Sequence, residues 1–299
     1  MIEPKGGKVF NKKSCWLGID EAGRGPVLGP MVYAWWYWPI EYEASSPKEF
    51  SKYVDSKKTT EKERERIYMN LDDARKNGKL NFKYYPIQPD DMWNDQLGNV
   101  RNLNEISHET AFALIQASLD EGNNIEKVYI DTVGPPKTYQ FKLEKKFEDY
   151  KIEFWVESKA DDKYKCVSAA SIVAKYHRDY LLSNWKFVEP SLNESKHENS
   201  NFGCGYPGDP VTKEWLNKHQ DPIFGFPTIV RFSWSTCDNR INREKNDEHD
   251  LEPSWFFPNE KDDRYQKYVD ELTKQKQMQK SSKRNNTAWL MKDLGLELL

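Results

Sequence analysis

Two apolar runs near the start of the chain, "CWLGID" (15–20) and "MVYAWWYW" (31–38), are rich in β-branched and aromatic residues and are separated by a Gly/Pro turn. That pattern predicts two β-strands paired antiparallel. The first run ends on two adjacent carboxylates, Asp20 and Glu21, and the turn "AGRGPVLGP" follows at once. An acid pair where a buried strand runs out is costly unless something positive neutralises it. An arginine or a metal ion would serve, or simply water. The glycines of the turn can bring backbone close to a ligand, where a Cβ would hinder the approach.

The next segments alternate. "TEKERERIYMNLDDARKNG" reads as a helix ending near Gly78, and "KLNFKYYPI" as a strand. "NEISHETAFALIQASLDEG" has apolar residues at about helical spacing and stops at Gly122. "KVYID" is a short apolar strand ending in Asp131, and "IEFWVESKAD" another ending in Asp161. "YKCVSAASIVAKYHRDYLLSNWKF" is a long helix whose small-residue face suits close packing on a sheet. Antiparallel strands followed by strand–helix alternation predict an α/β fold, a mixed sheet covered by helices. If the strands are neighbours, Asp20, Asp131 and Asp161 converge on one edge, where open α/β sheets gather their ligands. The aromatic run "WWYW" is read as core rather than as a base-stacking platform, because alternation gives each face half of it.

A net charge of −3 and a pI near 6.1 provide no global attraction to nucleic acid, so any basic footprint is local. The four cysteines form no C-x-x-C pair, the five histidines are scattered, and neither suggests a zinc site or a disulfide framework. No apolar stretch approaches the roughly 20 residues that cross a bilayer. The start has no apolar core of a secretory signal, which leaves cytoplasm or nucleus as the expectation. After "RFSWSTCDNR" the composition turns charged, with Pro253 and Pro258 as in a linker. A polar helix over 261–280, a joint "SSKRNN" and an amphipathic helix "TAWLMKDLGLELL" (287–299) are expected beyond it. The chain is therefore read as a catalytic domain over 1–240 and a helical C-terminal extension over 241–299.

Four acids, Asp20, Glu21, Asp131 and Asp161, without histidine or thiolate partners suit hard divalent cations such as Mg²⁺ or Mn²⁺. Two such ions side by side can activate water against a phosphodiester. Taken singly, each acid is as readily a surface or capping residue.

Seven motifs carry a resemblance: "GIDEAGRGPVLGPMVYA", "VDSKK", "NLNEISHETA", "VYIDTVGPP", "SKADDKYKCVSAASIVAKYHRD", "GCGYPGDPVTKEWL" and "FGFPTIVRFSW". In this order, from about residue 15 to 237, they closely resemble the type 2 ribonuclease H (ribonuclease HII) family, and within it the catalytic subunits of the eukaryotic enzymes. The resemblance implies a ribonuclease H-like five-stranded mixed sheet flanked by helices. It implies cleavage of RNA in RNA/DNA hybrids and cleavage 5′ of single ribonucleotides in duplex DNA, with two divalent ions. Asp20 and Asp131 would be the principal ligands, and Glu21 and Asp161 would complete the set; Asp162 directly follows Asp161, so the motif "KAD" decides between them.

By the same resemblance, Gly23, Arg24 and Gly25 would meet the ribose 2′-hydroxyl, which distinguishes RNA from DNA. Arg24 would also serve simply to neutralise the acids. Tyr206 would touch the same hydroxyl and stack on the next sugar. Ser56 and Lys57 would contact phosphate, and Asn102, Arg178 and Thr236 would lie close to the nucleic acid. Cys204, in the same loop as Tyr206, has no sign of reactivity. Partners implied are two non-catalytic accessory subunits (B and C) in a heterotrimer acting in the nucleus, with the extension as docking element. A hybrid-binding module without activity, or a scaffold dominated by its tail, are the competing classes; the complete set of acids and the full first motif speak against them.

Overall fold

The computed structural model describes residues 13–41, 60–92, 101–189, 192, 201–221, 225–237 and 240. Its contacts divide the chain into two compact units, Met1–Trp234 and Ser235–Leu299. Ser56, Lys57 and the expected helices beyond residue 240 lie outside the described residues.

The first unit is built on a five-stranded sheet of order β3-β2-β1-β4-β5, with β1 Ser14–Ala22, β2 Met31–Pro39, β3 Asn81–Ile87, β4 Asn124–Asp131 and β5 Glu153–Glu157. β1, β2 and β3 pair antiparallel, and β4 and β5 run parallel to β1, so the sheet is mixed. The helices are α1 Glu61–Lys76, α2 Leu103–Asp120, α3 Pro136–Lys146, α4 Ala160–Lys163, α5 Lys165–Ser183 and α6 Pro210–Lys218. The fold is the five-stranded α/β architecture expected.

Strand alternation sorts the aromatic run. Trp36 and Trp38 join the core under α5 with Phe82, Ala169, Ala170 and Val173. Trp35 and Tyr37 point to the opposite face and are buried too. Both faces are thus covered. α5 lies unusually close to the sheet: a Cβ on Gly18 would stand 2.3 Å from the carbonyl carbon of Cys166. The small residues Ala169, Ala170 and Ala174 permit that approach, as the sequence suggests.

α1 starts where Thr60 accepts from the Glu63 N–H, and acids in its first turn and bases in its last match the helix dipole. α2 starts on a capping box of Asn102 and Glu105. α3 and α6 each open on a proline in the first turn; neither was expected from periodicity.

One element departs from expectation. The strand read through Asp161 stops at Glu157. Lys159 then adopts a left-handed conformation (φ 58°), rare for a residue with a Cβ, and reverses the chain into the single turn of α4. Asp161 therefore sits in a short helix beyond the sheet edge rather than at a strand end. Among the described residues no helix is long and apolar enough to cross a membrane, and all four cysteines are free.

Candidate active site

β1, β4 and β5 run parallel, so their C-terminal ends share one edge of the sheet. Asp20 lies at that end of β1 and Asp131 at that end of β4. The turn at Lys159 places the Ala160 N–H 3.1 Å from Oδ1 of Asp131, to which it donates. The next residue, Asp161, is buried and acts electrostatically on Asp20, whereas Asp162 is exposed. The fold thus brings together Asp20, Asp131 and Asp161.

Glu21 stands differently. Adjacent residues of a strand face opposite ways. Asp20 faces α5, near the Ser171 hydroxyl, while Glu21 faces α2 and α3. Its carboxylate is half-buried, and Oε2 is wholly enclosed without a hydrogen-bond partner.

Burial comes first among the causes that push Asp20 up to about 7, followed by the charge of Asp131. Hydrogen bonds from Ser171 and from the Glu21 N–H (2.8 Å) oppose the rise. Glu21 is held well above the carboxylate range by burial and then by Asp20, with Arg24 as the opposing charge. Such a crowd of acids is under strain as anions, and a cation relieves it. The donor set is all carboxylate oxygen, which fits Mg²⁺ or Mn²⁺. Glu21 Oε2 remains open to a ligand or a hydrogen-bond donor. Among the described residues, no three His, Cys, Asp or Glu side chains stand ready-made as an ion-binding group; like charges without a cation between them hold apart.

The turn after β1 is fastened on three sides. Arg24 donates to Ser107 Oγ (2.8 Å) and Asn104 Oδ1 (2.5 Å) on the first turns of α2. It therefore anchors α2 as well as offsetting Glu21. Gly23 has φ +81°, and a Cβ there would stand 2.5 Å from Cδ of Arg178 and 2.8 Å from the Pro30 carbonyl. Only glycine fits. Gly25 faces the ring of Tyr206, whose Cε1 would lie 3.3 Å from a Cβ at that position. Tyr206 is 47% exposed, an aromatic ring left in solvent beside the turn. Its loop is tied down: Val27 N–H donates to the Gly205 carbonyl (2.8 Å), and Asp209 accepts from the N–H groups of Cys204 and Thr212.

Arg178, expected near the nucleic acid, is buried beneath both loops and donates Nη2 to the Cys204 carbonyl (3.3 Å). That placing makes it a tie between the turn and the Tyr206 loop rather than an open phosphate contact. Asn102 is exposed at the start of α2, where its Oδ1 accepts from the Asn104 and Glu105 N–H groups (3.0 Å each). Thr236 belongs to the second unit.

Sequence reasoning missed Arg231. It is fully buried and donates to three carbonyls of the turn: Gly29 from Nε (2.8 Å), Arg24 from Nη1 (3.2 Å) and Gly23 from Nη2 (2.6 Å). Its guanidinium lies 4.8 Å from the Trp234 ring centre, and Trp234 Nε1 donates to the Gly25 carbonyl (3.2 Å). The signal was available: an arginine inside the apolar run "TIVRFSW" must find buried acceptors.

The family model for Ribonuclease HII matches residues 17–237 of this chain. The chain is 47% identical to the Ribonuclease H2 catalytic-type (A) subunit of Mus musculus over 240 residues, which are 80% of this chain and 76% of the relative. It is 45% identical to the corresponding Ribonuclease H2 subunit of Arabidopsis thaliana over 231 residues, 77% of this chain and 74% of that one. Among solved structures it resembles the ribonuclease H2 from Pyrococcus horikoshii OT3, with TM-score 0.60 and 30% identity, covering 78% of this chain and 100% of that chain. RNase HII in its complex with PCNA from Archaeoglobus fulgidus matches with TM-score 0.57 and 29% identity, over 75% and 95% of the two chains.

Proposed function

The chain belongs to the ribonuclease HII family and is a ribonuclease H, and from that premise we propose that it hydrolyses the RNA strand of RNA/DNA hybrids and cuts 5′ of single ribonucleotides embedded in duplex DNA. The products carry a 3′-hydroxyl and a 5′-phosphate. The observation that carries the reading is the convergence of Asp20, Asp131 and Asp161 at one sheet edge, beside a glycine turn that faces an exposed tyrosine.

Asp20, Asp131, Asp161 and Glu21 are the residues that would hold two divalent ions, Mg²⁺ or Mn²⁺. Bound there, the ions would supply activation of a water and stabilisation of the departing 3′ oxygen. The rest falls to the chain itself. Gly23 and Gly25 leave backbone open to a ribose, and Arg231 and Arg178 hold that backbone in place from below. The Tyr206 ring beside Gly25 is offered to the sugar at the junction, where one 2′-hydroxyl is all that distinguishes the target. Asn102, Ser56, Lys57 and Thr236 are assigned to the phosphates or their surroundings.

The same reading includes two accessory subunits (B and C), a heterotrimer, and nuclear action. Relatives named as one lettered subunit of Ribonuclease H2 support the assembly. The segment 287–299, with Trp289, Leu290, Leu294 and Leu298 at helical spacing, is the proposed anchor. A cleavage assay on duplex DNA containing one ribonucleotide, with and without Mg²⁺, tests the central claim. Absence of ion-dependent cutting 5′ of the ribonucleotide by the assembled complex refutes it. Deleting 287–299 and following assembly by gel filtration tests the anchor, which is refuted if the full heterotrimer still forms with undiminished affinity.

A further inference from the structure

Three buried polar atoms on the α2 side of the sheet have no hydrogen-bond partner: Oε2 of Glu21 and the hydroxyls of Tyr33 and Tyr139. Their proximity is built into the fold. Glu21 and Tyr33 are direct cross-strand partners in the register of β1 and β2, and residues so paired stand about 4.5–5.5 Å apart at Cβ on the same face. Tyr139, in the first turn of α3, lies within electrostatic reach of both: the Glu21 charge acts on its phenol, and its phenol acts on Tyr33. Each tyrosine is 1% exposed. The Tyr139 ring is stacked on His108 at 3.8 Å, which fixes its direction. Ser107 is close enough to influence Tyr33, yet makes no hydrogen bond of normal geometry with it, and its Oγ already accepts from Arg24.

A fold that needed only the rings would be better served by phenylalanine, because a buried hydroxyl without a partner is a net cost. Two such hydroxyls facing one enclosed carboxylate oxygen are donors matched to an acceptor. We propose that Tyr33 and Tyr139 are positioning residues for Glu21, their hydroxyls donating to its carboxylate once it is ionised and so fixing the orientation in which it meets a divalent ion. Hydrogen bonds to a carboxylate are short and strong, and partners of this kind tune ion affinity without touching the ion. The inference rests on reading Glu21 as an ion ligand.

The test uses the full chain with Tyr33→Phe, Tyr139→Phe and the double substitution, each removing one oxygen and keeping the ring. Thermal unfolding is followed across a Mn²⁺ titration, with Asp20→Asn and Tyr37→Phe alongside. Tyr37 is a control: its hydroxyl accepts from Asn81 (2.8 Å) and Asn123 (3.1 Å), away from the acids. The expected result is an unchanged or higher Tm without ion for the double variant. Its Mn²⁺ midpoint moves up by roughly tenfold or more, and kcat falls with little change in KM for the nucleic acid in the assembled enzyme. Tyr37→Phe should do the reverse, lowering Tm and leaving the midpoint in place. A double variant with the wild-type midpoint overturns the inference alone. A wild-type Tm that does not respond to Mn²⁺, or responds equally in Asp20→Asn, overturns the reading of the acids and this inference with it.

Discussion

The ring of Tyr206 lies against Gly25, so close that a Cβ on Gly25 would meet it at 3.3 Å. The two come from loops far apart in sequence, joined by hydrogen bonds from Val27 and Leu28 to the Gly205 carbonyl. The ring is anchored at its backbone and open at its face. Tyr206→Ala should therefore leave stability nearly intact and weaken recognition at a ribose. Loss of one stacking ring is worth roughly 1–3 kcal/mol, or about ten- to a hundredfold. The loss should be larger on a single embedded ribonucleotide than on a continuous hybrid, where another register can be used. The ratio of kcat/KM on the two substrates checks this, and equal losses would reduce Tyr206 to a packing residue.

Asp20 carries a second expectation besides catalysis. Its pKa is raised from 3.8 to about 7, so between those values the folded chain holds a proton that the unfolded chain has released. Stability from this group is thus present at low pH and lost as pH rises towards 7. Asp20→Asn should raise the Tm of the ion-free protein at pH 8 relative to wild type and have little effect at pH 4. The same change, like Asp131→Asn, should lower cleavage by about three orders of magnitude or more while hybrid binding persists. Unfolding curves at the two pH values and single-turnover cleavage check both halves.

The sheet edge was legible because strand ends and carboxylates coincide in "CWLGID" and "KVYID". Period-two alternation also separates Asp20 from Glu21, since neighbours on a strand cannot share a face. What periodicity could not give was α4. A strand pattern running to Asp161 is broken by the left-handed Lys159, a conformation that no residue preference announces. Arg178 misled for another reason: a basic residue in a family motif suggests a phosphate, but its place on the sheet-facing side of α5 buries it. Residues that act through others, such as Arg231 and Tyr33, are invisible until register and burial are known.

Arg231 holds the glycine turn through three carbonyls, and no other residue type offers that fork of donors. Arg231→Lys keeps the charge and can satisfy at most part of the set. The expected cost is about 2–4 kcal/mol, together with a fall in kcat/KM larger than the fraction of unfolded chain explains. Chemical denaturation with parallel kinetics, both on the assembled enzyme, distinguishes the two. Wild-type stability in Arg231→Lys would show that the turn holds itself.

His177 sets the acid limit of the fold. Its ring is stacked on Tyr84 at 3.4 Å and meets Tyr68 edge-on at 5.0 Å, and neither ring nitrogen has a hydrogen-bond partner. At 7% exposure, burial drives its pKa from 6.5 down to about 3, with Asp72 opposing and Arg75 assisting. Between pH 6.5 and 3 the unfolded chain therefore gains a proton that the folded chain refuses. Stability is complete above 6.5 and falls as the pH drops through that window. The size of the shift corresponds to a few kcal/mol. His177→Phe preserves an aromatic ring in the stack and removes the titration, so its unfolding free energy should be flatter between pH 7 and 4 than that of the wild type. Urea denaturation at pH 7, 5.5 and 4 on both proteins measures the difference. Parallel pH profiles would mean that the imidazole already accepts a proton in the folded state, and that the pocket around Tyr84 and Tyr68 opens to let it do so.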